Sequence, residues 1–261
     1  MYDKLQTGWR VQRRVIGALM IRELNTRFGR ENIGFLWIMV EPLLFAGLVG
    51  IVWRMMKGPE EHGLSVVEFV ASGYIPITLF RHAVSRSVRV FSVNSSLMYH
   101  RQIKVLDFIT VRFLVEVIGS MMAYFFIAVL LIWLNEFPIP SNFGLLFAGW
   151  FLYAVFTFSL CLILAPLSEL SDVLEKLIPV TTYVMIPFSG CFTMTSWLTP
   201  EAQNALYYSP FVHAMEMMRE GIFGAHVTAI YDWRVPFGTS VALTLIGLAM
   251  CRRVRRRLVV E

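Results

Sequence analysis

The chain has 261 residues, of which 57% are hydrophobic and 16% charged, with a net charge of +5; soluble domains hold roughly 45–50% apolar and about 25% charged residues. So much apolar sequence argues against a soluble fold. The basic residues collect at the ends of apolar runs and the Phe and Trp lie inside those runs, so no nucleic-acid partner is expected. Cys161, Cys191 and Cys251 are odd in number and show no C-x-x-C spacing, which argues against a disulfide framework.

Residues 1–33 are polar to amphipathic. Arg13 and Arg14 followed by the apolar run 15–21 imitate a signal peptide, but Arg22 and Glu23 close that run with no cleavage site after it. On a helical wheel Trp9, Val11, Val15, Ile16, Ala18, Leu19 and Met20 share one broad face, opposite Arg10, Arg13 and Arg14. Too short and too charged to span, such a helix lies in the membrane interface or packs on a cytosolic partner.

Six spans follow, at about residues 34–53, 66–90, 108–133, 143–167, 176–197 and 236–251, each compared with the roughly 20 residues that a hydrocarbon core requires. The second span is unusual because Arg81, Arg86 and Arg89 arrive before it is clearly finished. The fifth contains Pro179 and Pro187 and is expected to be kinked or broken. Of 23 Lys and Arg, only Arg54, Lys57, Arg219 and Arg234 fall on one side of this arrangement. The positive-inside rule therefore predicts both termini in the cytoplasm. The fold class expected is an all-α integral membrane protein, divided into an interfacial helix (1–33) and a transmembrane domain (34–261). Between spans five and six, Thr199-Pro200-Glu201 and Ser209-Pro210 are helix starts. They predict two short re-entrant helices at the outer face.

Several residues could carry chemistry. Glu41, before Pro42 and one turn after Trp37, is ionisable in the middle of a span. It fits a translocation path, and it equally fits an ion pair with Arg81. His213, Glu216 and Glu220 share a face of the outer helix. They could hold a metal in principle, or form a polar face turned to solvent; no second ligand-bearing helix is visible, and no metal is expected. Residues 94–105, including Asn94, Tyr99, His100, Arg101 and Lys104, are too polar to insert and read as a docking element for a soluble partner. The phosphate loop, nucleophile elbow, zincin and dinucleotide motifs are all missing. Energy for any work on a substrate must come from elsewhere.

Three segments carry a resemblance. Residues 22–42 read R-E-L-x-x-R-F-G-R-x-x-I-G-F-L-W-x-x-x-E-P, residues 97–107 run L-M-Y-H-R to V-L-D, and residues 209–216 read S-P-F-V-H-A-M-E, with Arg219 beyond. With the six spans and the two amphipathic elements, this pattern resembles ABC-2 type polysaccharide export permeases. It is closest to the permeases of capsular polysaccharide (KpsM-like) exporters and related to O-antigen (Wzm-like) permeases. Ser209 stands where many relatives carry Asn, and both cap helices.

The resemblance implies a transport subunit rather than an enzyme, acting as a homodimer with two copies of a cytoplasmic ATP-binding subunit. That partner would use ATP and Mg, and this chain would bind no cofactor. Coupling would run through residues 94–105 and through 168–175, which contain Glu169 and Asp172. A lipid-linked acidic polysaccharide would pass to periplasmic and outer-membrane capsule export proteins. Trp37, Tyr74, Tyr153 and Tyr183 offer faces for sugars. Arg81, Arg86 and Arg89 would either draw the polymer to the inner mouth or simply snorkel at a helix end. A drug or small-lipid exporter, an exporter of O-antigen or teichoic-acid-type glycan, and a membrane enzyme on lipid-linked sugars are the competing readings. The last would need a catalytic cluster beyond His213, Glu216 and Glu220.

Overall fold

The computed structural model describes residues 2–28, 34–58, 60–98 and 102–258, with the side chains of 2–5, 28, 34–39, 41, 42, 57 and 255–258 outside that description. The chain opens with α1 (Tyr2–Phe28), 27 residues and so about 40 Å long at 1.5 Å per residue. It continues with α2 (Gly34–Lys57) and a hairpin of two residues per strand, β1 (Glu60–Glu61) against β2 (Leu64–Ser65). The hairpin turn carries His62 and Gly63 at positive φ. Then come α3 (Val66–Ser87), the short α4 (Ser95–Met98), α5 (Val105–Trp133) and α6 (Phe143–Leu170). The last four helices are α7 (Asp172–Val184), α8 (Pro200–Leu206), α9 (Pro210–Phe223) and α10 (Arg234–Leu258).

Among the described residues, three helical segments are long and apolar enough to cross a membrane: Val105–Trp133, Phe143–Leu170 and Arg234–Val254. Helix α2 holds the shorter apolar stretch Leu43–Met56. The expected fifth span does not form one helix. Helix α7 stops at Val184 after 13 residues, about 20 Å of rise against a hydrocarbon core of about 30 Å. The chain then turns through Pro187–Ser189 and Thr195–Trp197 in single 3₁₀ turns. Gly190, at φ +71°, supplies the left-handed residue that closes the first of them. The two helices expected after Thr199 and Ser209 both form, each with proline in its first turn.

The core lies between α3, α6 and α9. Helix α3 is buried along nearly all of its length, from Val66 through Phe80 to Ser87. Helix α9 docks on α6 through glycines: a Cβ at Gly149 would lie 2.6 Å from Met218 Cγ and 2.8 Å from the Ala214 carbonyl, and one at Gly221 2.5 Å from the Leu146 backbone nitrogen. Phe80, Tyr153 and Phe156 surround Phe211 at 4.7–5.2 Å between ring centroids, the tilted and edge-on arrangement that aromatic rings prefer. On the outside of the bundle, Phe125, Phe147, Phe151 and Leu245 are all more than half exposed. A soluble protein would not leave a belt of that size uncovered.

Candidate functional site

Two polar regions occupy opposite ends of the bundle. At the first, the last turn of α6 and the first turn of α7 hold the turn that follows α3. Glu169 Oε1 accepts from the backbone N–H groups of Phe91 (3.1 Å) and Ser92 (3.0 Å), so this carboxylate caps the 3₁₀ turn Ser92–Asn94. Ser168 Oγ accepts from the Arg89 backbone N–H at 3.1 Å, and Arg89 Nε lies 3.0 Å from Glu175 Oε2. Ser171 caps α7, whose first turn carries Asp172 and Glu175 at its positive end. Residues 88–94 and 168–175 are therefore joined by four polar contacts. Glu169 and Asp172 lie in this unit, with Glu169 at its centre and Asp172 exposed.

Helix α1 is tied to the same end. Arg22 Nη1 donates to Asn94 Oδ1 at 2.9 Å, while Asn94 Nδ2 donates to the Val90 carbonyl at 2.8 Å. Buried Asn94 is thus a junction between α1 and the turn. Gln12 donates to Asp107, whose other oxygen accepts from the Lys104 backbone N–H at 2.8 Å. Lys104 accordingly starts α5 with its backbone rather than its ammonium. Tyr99, His100 and Arg101 lie outside the described residues, as do the side chains of Trp37 and Glu41. A groove of about 550 Å³ opens between α1 and this segment, lined by Val15, Leu19, Arg22, Leu97, Gln102 and Ile103.

Deeper in the bundle is a node that sequence reasoning missed. Glu116 of α5 is 1% exposed and pairs with Arg27 of α1. His82 Nδ1 and Arg86 Nε, both from α3, approach it at 3.8 and 4.0 Å. Beside it Arg112 meets Glu23 of α1 at 3.6 Å and donates to the Arg86 carbonyl at 2.6 Å. Three helices thus converge on one buried carboxylate. The available signal was the rule applied to Glu41: an ionisable residue inside an apolar run has a partner.

At the other end the expected polar face of α9 is not turned to solvent. His213 and Glu216 are 2% and 1% exposed, which corrects that expectation for both, and neighbouring Arg219 is 0% exposed. The guanidinium of Arg219 donates to the carbonyls of Gly190 (2.7 Å), Thr193 (3.0 Å) and Cys191, and to Ser72 Oγ (3.3 Å), and it lies 3.8 Å above the Phe69 ring. Gly73 makes room for this cage, since a Cβ there would overlap the Cys191 carbonyl oxygen. Glu216 accepts from the Thr195 N–H (2.6 Å) and the Ile230 N–H (3.1 Å). His213 Nδ1 accepts from the Asp232 N–H at 3.0 Å, so its Nε2 carries the proton and donates to the Tyr207 carbonyl at 2.7 Å. These side chains replace the ladder that irregular backbone lacks, as burial demands. Glu220 is half-buried. Burial and, second, the hydrogen bond to Glu220 push the Tyr231 phenol up to about 12.

The other residues expected to face a channel are dispersed. Arg81 sits over the exposed Tyr183 ring at 4.2 Å. Buried Tyr74 stacks near Phe45 at 6.2 Å. Tyr153 has no exposed surface in the subunit, and Arg86 and Arg89 belong to the ion pairs above.

A helical bundle with an uncovered apolar belt and buried charges at both ends defines a polytopic membrane protein whose charges link helices and loops. The chain belongs to the ABC-2 type transporter family, whose model matches residues 14–223. It is 35% identical over 242 residues to the capsule polysaccharide export inner-membrane protein BexB of Haemophilus influenzae, covering 93% of this chain and 91% of that one. It is 36% identical over 241 residues to the protein of the same description, CtrC, of Neisseria meningitidis serogroup B, covering 92% and 91%. To the polysialic acid transport protein KpsM of Escherichia coli it is 26% identical over 253 residues, covering 95% and 96%.

Proposed function

We propose that this chain is the permease subunit of an ATP-driven exporter moving a lipid-linked capsular polysaccharide across the bacterial inner membrane. Similarity along more than nine-tenths of the chain to capsule export proteins supports the substrate class. In this reading the chain crosses the membrane six times with both ends inside, α7 and the turns after it serving as the fifth crossing and α8 and α9 re-entering from outside. Two copies form the channel, and two cytoplasmic ATP-binding subunits bind ATP and Mg. Trp37, Glu41, Tyr74, Arg81 and Tyr183 border the polymer's path, and capsule proteins of the periplasm and outer membrane receive it.

The observation that carries the reading is the four-contact junction of residues 88–94 with 168–175, tied to α1 through Arg22 and Asn94. A soluble motor pressing on residues 94–105 moves all three segments together, because none of them can shift without breaking these polar contacts. From there Arg27 and Arg86 pass the movement to Glu116 in the middle of the bundle.

The test is uptake of a radiolabelled lipid-linked acidic glycan by inverted membrane vesicles carrying this chain with a co-expressed ATP-binding subunit. Uptake should require ATP, both proteins and the 168–175 junction. Failure to recover any ATPase with the tagged chain sinks the transporter reading; ATP turnover that responds to drugs or small lipids but not to glycan sinks the polysaccharide.

A further inference from the structure

The end of the bundle held together by α9 contains a small polar cavity of about 120 Å³, lined by Thr195, Gln203, Asn204, Tyr207, Val212, His213 and Ile230. At roughly 10–15 Å³ of this measure per water-sized group, it admits about eight to twelve non-hydrogen atoms, the size of one sugar ring. We infer that this cavity is a subsite for a single uncharged pyranose unit, such as an unsubstituted hexose, of a polymer leaving the transporter. The inference rests on the exporter reading only for the identity of that polymer.

The lining has the chemistry that recognises a sugar. Val212 and Ile230 form an apolar floor, and Tyr207, 46% exposed, supplies an aromatic wall held edge-on to His213 at 5.2 Å. Asn204 is exposed and its side chain makes no hydrogen bond among the described residues, leaving two amide donors and a carbonyl acceptor for hydroxyl groups. Gln203 Nε2 donates to the Leu198 carbonyl at 2.9 Å, which fixes the side chain and leaves its oxygen to accept. The Thr195 hydroxyl is buried against the Glu216 carboxylate and is not offered to a ligand. A few placed polar groups on an apolar wall are the usual makeup of a small-molecule site.

The same lining excludes charge. It contains no Lys or Arg. His213 holds a single ring proton, because its Nδ1 accepts from the Asp232 N–H. The Glu216 carboxylate behind the cavity is occupied by two backbone N–H groups. A carboxylated sugar entering here would find no cation to pair with and would lose its hydration. Neutral units of the polymer are therefore the ones retained.

Saturation-transfer NMR on the detergent-solubilised full chain tests this, with millimolar glucose and glucuronic acid as probes. Glucose should receive saturation at its ring protons and the acidic sugar at least fivefold less. Tyr207→Ala and Asn204→Leu should each reduce the signal at least fivefold while Tyr207→Phe keeps it, with all three melting where the parent chain does. No signal in the parent chain, equal signals across the variants, or preference for the acidic sugar overturns the inference. So does loss of a periplasmic protein partner in Tyr207→Ala without any sugar signal, which would make the cavity a protein contact. Vesicle uptake is read separately: uptake without sugar binding defeats only the subsite, and sugar binding without uptake defeats only the exporter.

Discussion

Arg219 and Glu116 are both buried charges in an apolar bundle, but they are satisfied in opposite ways. Arg219 donates mainly to main-chain carbonyls of one loop, residues 190–193. Glu116 is met by side chains of two other helices, Arg27 from α1 and His82 and Arg86 from α3. A charge satisfied by backbone fixes a shape, since the carbonyls cannot leave without unmaking the loop. A charge shared among side chains on separate helices can exchange partners when those helices move. The first arrangement makes a scaffold and the second a joint, and the joint lies on the side where the 88–94 and 168–175 segments meet α1.

The comparison can be broken in five places. Arg219→Met should cost about 3–5 kcal/mol, because it strands several buried carbonyls at once, and Arg219→Lys should recover little, since a point charge cannot span them. Thermal unfolding in detergent followed by tryptophan fluorescence reads both. Glu116→Gln removes the charge that Arg27, Arg86 and His82 share and should cost about 2–3 kcal/mol. Its signature is different: the chain still inserts and binds the ATPase, while ATP turnover no longer responds to glycan. Gly73→Ala pushes a methyl group into the Arg219 cage and should destabilise by about 1–3 kcal/mol, again without changing coupling per folded molecule.

Smaller effects sharpen the picture. Glu169→Gln weakens the cap on the 92–94 turn by about 1 kcal/mol and should lower glycan-stimulated ATP hydrolysis more than it lowers the melting temperature. Arg81→Ala removes a cation–ring contact of about 0.5–1 kcal/mol. It should leave stability almost unchanged, so any loss of vesicle uptake would assign Arg81 to the polymer path.

Much of the architecture was legible because apolar length and helix starts are local signals. The 199–201 and 209–210 starts appear as α8 and α9, and Pro187 marks the break of the fifth span, which ends two residues earlier than a simple proline rule requires. Partnership was not legible, because it depends on which helices meet. His213, Glu216 and Glu220 look like a solvated stripe at helical spacing, and only the return of residues 190–199 and 225–233 across α9 turns the first two inward. Glu116 was hidden for a different reason: the apolar run around it is long enough to absorb one carboxylate and still read as a span. Asp107 and Arg22 lay inside quoted motifs, yet their roles as the partners of Gln12 and Asn94 emerge only with α1 in place.

The most direct test of the scaffold-and-joint division is spin-label distance measurement on the chain co-expressed with the proposed ATP-binding subunit, with and without a non-hydrolysable ATP analogue. One label pair would join exposed Trp9 on α1 to Met121 on α5, and a second pair would join Tyr208 to Trp233 around α9. The first distance should shift or broaden on nucleotide binding while the second stays fixed, and Glu116→Gln should abolish the shift. Movement confined to the second pair would contradict the division, as would an unchanged nucleotide response in Glu116→Gln.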